Sequence, residues 1–214
     1  MKKLVLFIVG WSVCLMVWAQ EHPEAGPEKV ATCSACHGLA GVSSVPLSPS
    51  LAGQNQNYLL RQLLAFRAGL SGNGEQGRYD PVMGAMTMAL DEQDMRDIAA
   101  YYAGLPEDGS QSGVQSDSMP PESEQEDGAR LYHFGDRQRN IMACSACHGP
   151  SGKGIASSGF PDVSGQREDY LKLQLHKFRD GSRHNDLNGM MQDIARSLAD
   201  KEIESLADYM THMN

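Results

Sequence analysis

Apolar residues recur along this chain at helical spacing. Tyr58, Leu59, Leu63 and Phe66 form one stripe of a helix that the pattern ends at Gly69. Met95, Ile98, Ala99, Tyr101 and Tyr102 form a second stripe before Gly104, with Asp91 placed as its N-cap. Ile203, Leu206, Ala207, Tyr209 and Met210 restate that stripe near the end of the chain, with Ala199 where Asp91 would stand. No segment alternates apolar and polar residues as a half-buried strand would, so the expected fold class is all-α. One further apolar run, Leu4 to Trp18, follows Lys2 and Lys3 and precedes Ala19. It is too short for a membrane span, which takes about 20 residues. It reads instead as a cleavable secretory signal over residues 1–19, which predicts export to the periplasm.

The second half of the chain repeats the first. Leu51-Ala52-Gly53-Gln54, Tyr58, Leu59, Gln62, Leu63, Phe66, Arg67 and Gly69 have partners 112 positions on, in Val163-Ser164-Gly165-Gln166, Tyr170, Leu171, Gln174, Leu175, Phe178, Arg179 and Gly181. Further along the shift is 108, pairing Met83, Leu90, Ala99 and Tyr101 with Met191, Leu198, Ala207 and Tyr209. A repeat this long is a duplicated domain, not a solenoid unit of about 20–50 residues. The expected domains are residues 20–105 and 128–214, joined by a linker over 106–127. That linker carries seven acids and no base, so it should self-repel and stay mobile.

Charge narrows the partners. The chain has a net charge of −9, which argues against nucleic acid, whose phosphates require a basic face. The imbalance is uneven: residues 20–105 sum to −4, the linker to −7, and residues 128–214 to zero. Such a distribution orients a molecule in the field of its partners and predicts that the acidic end meets a basic docking site.

The decisive chemistry lies in the cysteines. Apart from Cys14 in the leader, all of them fall in Cys33-Ser34-Ala35-Cys36-His37 and Cys144-Ser145-Ala146-Cys147-His148. C-x-x-C-H is the attachment site of c-type haem, in which both thiols bond to the macrocycle and the histidine ligates the iron. A four-cysteine zinc site would bring its pairs within about 20 residues, and these are over a hundred apart. A thioredoxin-like dithiol would sit beside a βαβ pattern, absent here, and a disulfide between cysteines three apart is sterically poor. Two covalent haems would also supply the apolar core that two domains of about 85 residues otherwise lack.

Methionine is the usual sixth ligand of an electron-transferring c-type haem. The repeat register selects Met83 and Met191, each seven residues before a matched leucine, Leu90 and Leu198. Met86, Met88 and Met190 read as flexible packing residues. Pro49 and Pro161 match at the shift of 112, and their carbonyls are candidates to hold the second nitrogen of His37 and His148. His22, His133, His176, His184 and His212 have no counterparts and read as surface or loop residues.

On the two C-x-x-C-H-G motifs, the Leu51-to-Gly69 segment, Phe160-Pro161 before Val163-Ser164-Gly165-Gln166 and the two methionine loops, the sequence resembles the dihaem cytochrome c4 family. The resemblance covers nearly the whole chain outside the leader and linker. It implies two class I cytochrome c folds, each wrapped around one covalent haem, with Cys33, Cys36, Cys144 and Cys147 as attachment points. It implies His37 and Met83 on the first iron and His148 and Met191 on the second. It further implies an electron carrier, not an enzyme, passing electrons from respiratory donors such as a quinol-oxidising complex or other cytochromes to a membrane oxidase or reductase, with loose peripheral membrane association. The acidic linker is longer than is usual in that family. A haem subunit of a larger dehydrogenase, such as a flavocytochrome sulfide dehydrogenase, and a dihaem peroxidase are the alternatives.

Overall fold

A computed structural model describes residues 22–106, apart from 73 and 75, and 122–213. The expected leader and linker residues 107–121 lie outside the described residues. The first half holds α1 (Gly26–Lys29), α2 (Ser34–His37), α3 (Gln56–Ser71), α4 (Pro81–Met88) and α5 (Glu92–Gly104). The second holds α6 (Glu122–Phe134), α7 (Ser145–His148), α8 (Glu168–Asp180), α9 (Met190–Arg196) and α10 (Asp200–Thr211). Among the described residues there is no strand, only two isolated bridges, Asp136 with Ile141 and Ile155 with Phe160.

In each half the last helix is the hub. In the first, α5 packs on α1 and α3, and α3 on α4; in the second, α10 packs on α6 and α8, and α8 on α9. Glycine sets the closest crossing in both. A Cβ on Gly26 would collide with the Tyr101 side chain, and one on Gly128 with Tyr209 and the Ser205 backbone. Four residues beyond each glycine the halves diverge, with Val30 in one and Tyr132 in the other, both buried. The exchange is compensated on the facing helix, where buried Tyr102 stands in the first half and buried Met210 in the second.

The helix starts follow the expected chemistry. The Asp91 carboxylate accepts from the Asp94 N–H at 2.7 Å, while Asp94 accepts from the Asp91 N–H, a reciprocal cap on α5. In α10 Ala199 cannot return the favour, and only the Glu202 carboxylate accepts from the Ala199 N–H. Two boundaries differ from the pattern. Helix α3 runs through Gly69 to Ser71, because a missing Cβ there admits the Arg78–Tyr79 backbone against the helix. Its counterpart Gly181 does end α8, in the left-handed conformation at φ 80°. Helix α6 begins at Glu122, inside the acidic segment.

The halves meet face to face through matched pairs of bonds. Gln54 bridges to Asp162, donating to its carbonyl at 2.8 Å and accepting from its N–H at 2.9 Å. Gln166 does the same with Ser50, at 3.0 and 2.9 Å. Both glutamines are buried.

Candidate functional site

The C-x-x-C-H segments each close one helical turn. The His37 N–H donates to the Cys33 carbonyl at 3.0 Å and the His148 N–H to the Cys144 carbonyl at 2.9 Å, which brings both cysteines and the histidine of each motif onto one turn. Neither cysteine pair is bridged by a disulfide. Burial raises the thiol pKa of Cys33, and pushes that of Cys144 up to about 11.

Both histidines are buried, and their Nδ1 atoms sit 2.8 Å from the Pro49 carbonyl and 2.9 Å from the Pro161 carbonyl. The proline pair expected from the repeat is therefore in place. A carbonyl at Nδ1 requires the proton there and leaves Nε2 as a lone pair. Burial lowers the pKa of each imidazole, outweighing the opposing carbonyl bond, so the neutral form suited to ligation prevails.

These turns face a cavity of about 790 Å³ that runs through the contact between the halves. Met83 enters it from α4 and Met191 from α9. Each methionine is anchored at its backbone by an aspartate. Asp80 accepts from the Val82 and Met83 N–H groups at 3.1 and 3.0 Å, and Asp186 from Met191 and Gln192 at 2.8 and 3.1 Å. Met86 and Met190 also line the cavity, whereas Met88 does not. The expectation that Met86 and Met88 fill the core fails, since α4 turns both outward to exposed positions.

The deepest part of the contact is cationic. Arg78 and Arg183 are both buried, and each guanidinium lies over a phenylalanine of its own half, Phe66 at 4.5 Å and Phe178 at 4.3 Å. Arg78 donates to Gln62 at 2.8 Å, and crosses the interface to Gln174 at 2.7 Å and the Tyr170 hydroxyl at 3.2 Å. Arg183 mirrors it, donating to Gln174 at 2.9 Å and crossing to Gln62 and the Tyr58 hydroxyl, both at 3.2 Å. Burial, followed by the charge of Arg78, lowers the pKa of Arg183. Burial acts to raise that of Tyr58, but the two guanidiniums outweigh it and leave the phenol shifted down. Among the described residues neither arginine forms an ion pair.

The arginine pair escaped the repeat because Arg78 follows Gly69 by nine residues, while Arg183 follows Gly181 by two. The net difference of four residues between Gly69 and Met83 hides a larger shift that reverses before the methionines. Its partners were visible: Tyr58, Gln62 and their copies put polar groups on helix faces that should be apolar. His133 also departs from the surface role expected of it. It is half-buried, and its Nε2 lies 2.8 Å from the Tyr209 hydroxyl.

The cytochrome c family profile matches twice, at residues 24–105 and 125–214. Cytochrome c4 of Stutzerimonas stutzeri is 38% identical over 98% of this chain and 97% of its own length. A thiosulfate dehydrogenase electron acceptor from Stutzerimonas stutzeri strain A1501 is 35% identical over 88% of this chain and 82% of its own. The crystal structure of reduced recombinant cytochrome c4 from Pseudomonas stutzeri superposes with a TM-score of 0.82 at 36% identity, covering 91% of this chain and all of that one.

Proposed function

The chain belongs to the cytochrome c4 branch of the cytochrome c family, an electron carrier with two covalent haem c groups, and from that premise we propose how its own residues hold the haems and where it works. Cys33 and Cys36 attach the first haem and Cys144 and Cys147 the second. His37 with Met83 would ligate the first iron, and His148 with Met191 the second. The observation that carries this reading is the doubled arrangement of a buried histidine, a proline carbonyl at its Nδ1 and a facing methionine on one cavity.

The residues fit the group. One cavity receives both C-x-x-C-H turns and both methionines, so the two sites adjoin across the contact between the halves. Its walls include Leu59, Phe66 and Ile98 on one side and Leu171, Phe178 and Leu206 on the other. A haem is an apolar plate with two carboxylates on one edge, and the buried Arg78 and Arg183 are the cations those carboxylates require. Bound there, the haems supply reversible one-electron exchange at iron. The proline carbonyls fix the tautomer and raise the basicity of each histidine. Asp80 and Asp186 hold the backbone from which each methionine reaches inward. The apolar walls keep water from the iron.

The domains are taken as residues 20–105 and the half that opens with α6, which extends the expected second domain (128–214) back to Glu122 and leaves 106–121 as the linker, with the leader over 1–19 directing export to the periplasm. No helix among the described residues is long and apolar enough to cross a membrane. Electrons pass from a respiratory donor to a membrane oxidase or reductase. The relative named as a thiosulfate dehydrogenase electron acceptor favours a second reading of the donor, a sulfur-compound dehydrogenase. Pyridine haemochrome assay of the exported protein should return two covalent haems per chain, falling to one in Cys36→Ala or Cys147→Ala wherever the variant still folds. One haem in the unaltered protein would show that one motif is idle.

A further inference from the structure

The two halves differ most at the helices that carry Met83 and Met191. From Pro81 to Leu90 the first half has no charged residue, and its α4 exposes Pro81, Val82, Ala85, Met86 and Met88 together. Val82 is 65% exposed and Met88 53%. Leu47, 59% exposed, lies in the segment between α2 and α3, and Leu47, Val82 and Met86 stand with exposed Cys36 at the rim of the cavity. In α9 the positions of Ala85 and Met88 are taken by Asp193 and Arg196, both exposed. Two of the five exposed α4 positions thus carry charge in the second half, which breaks the apolar face that is continuous in the first.

That face is framed by acids. Asp80 stands at one end of α4 and Asp91 at the other; Glu92 and Asp94 follow, paired with Arg96 at 2.9 Å and Lys29 at 2.8 Å, so four acids meet two bases there. No base occurs from Tyr79 to Met95. An exposed apolar patch with a polar rim marks an interaction surface, and a rim with an excess of one sign favours a partner of the other. An anionic lipid surface would be repelled by the same acids. The rival patch, Phe134 and Met142 beside Arg137 and Arg139, is exposed in the second half but does not border the cavity.

We propose that the α4 face of the first half, centred on Val82, Ala85 and Met88, is the docking surface for a redox protein presenting an apolar patch ringed by lysine or arginine. The proposal rests on the reading that a haem lies behind α4. Contact at this rim places the partner's centre beside Cys36 and the first haem, leaving the second half to exchange electrons elsewhere. The acidic frame speeds encounter, and the apolar centre sets how long the complex lives.

The test uses the holoprotein, labelled with nitrogen-15, and mitochondrial cytochrome c as a basic monohaem probe, both held reduced so that no electron moves. Amide shifts should cluster at residues 80–89 and around Leu47, and fade as salt is raised. Met88→Gln should weaken binding by about tenfold, the loss of one apolar anchor. Ala85→Arg should weaken it further by placing a base opposite the basic ring, whereas Arg196→Gln should leave it unchanged. Shifts centred on α9 or on Phe134 and Met142 would overturn the proposal, as would binding that Met88→Gln and Ala85→Arg both leave intact. Binding of anionic lipid vesicles at the α4 face would replace the protein partner with a membrane. Reductive titration keeps the two readings apart. Two electrons taken up per chain by every variant leaves only docking at issue, and fewer than two in the unaltered protein overturns the haem reading itself.

Discussion

At the scale of single residues, the tyrosine exchange between the halves gives a clean comparison. The Tyr132 hydroxyl donates to the Gly149 carbonyl at 2.7 Å, immediately after the His148 motif. The Tyr102 hydroxyl is buried with no hydrogen-bond partner among the described residues. Losing a made bond at a half-buried carbonyl costs about 1 kcal/mol, whereas removing an unpaired hydroxyl costs little. Tyr132→Phe should therefore lower the stability of the second half by about that amount, and Tyr102→Phe should cost the first half less. Thermal unfolding of the two variants checks the contrast. The methionine assignment is tested at the same scale. The weak sulfur-to-iron band at the red end of the oxidised spectrum should fall by half in Met83→Ala and by half in Met191→Ala. If Met86→Ala or Met190→Ala removes it instead, the repeat register is wrong in that half. The histidine–proline pairs could be read from sequence because both members recur at nearly fixed shifts. His133 could not, because its partner Tyr209 is 76 residues away and nothing local marks the pairing.

At the scale of elements, the first half ties its short N-terminal helix down with charge where the second uses length. Lys29 in α1 meets Asp94 at 2.8 Å and Asp97 at 2.6 Å on α5, and the His22 N–H also donates to Asp97. Burial works to raise the Asp97 pKa, but the Lys29, His22 and Gln93 bonds prevail and hold it at about 2, below its usual 3.8. A carboxyl lowered on folding stabilises above its unfolded pKa and loses that contribution as pH falls through the folded one. Stability of the first half should thus drop by about 2 kcal/mol between pH 4 and 2 through this group alone. In Asp97→Asn that part of the acid dependence should be gone, with the loss already present at neutral pH. Acid titration followed by far-ultraviolet circular dichroism checks it. Helix interiors and the Asp91 cap were legible because periodicity and capping are local. The end of α3 was not, since Gly69 serves a close approach by residues 78–79 instead of a chain reversal.

At the scale of the whole molecule, the repeat made the two domains legible but left their contact unseen. An interface built from Gln54, Gln166, Tyr58, Tyr170, Gln62 and Gln174 has no apolar signature, and its arginines lie where the copies fall out of register. Charge burial makes that contact consequential. A buried cation favours the reduced, less positive state of a nearby redox centre, and across a protein interior is worth on the order of 1 kcal/mol. Arg183→Gln should lower the reduction potentials of the haems, with little dependence on salt because the site is shielded from it. A potentiometric titration that returned unchanged potentials would separate the arginine pair from the redox function.

With Met83 and Met191 as sixth ligands neither iron would keep an open position, and carbon monoxide uptake checks this. Each open position in a ferrous haem takes up carbon monoxide, whereas a site closed by Met83 or Met191 requires the iron–sulfur bond to break and an apolar pocket to open. Freshly reduced, undamaged protein at neutral pH should bind carbon monoxide slowly or not at all while still exchanging electrons rapidly with another cytochrome. Fast, stoichiometric uptake at one of the two haems would contradict the account for that domain.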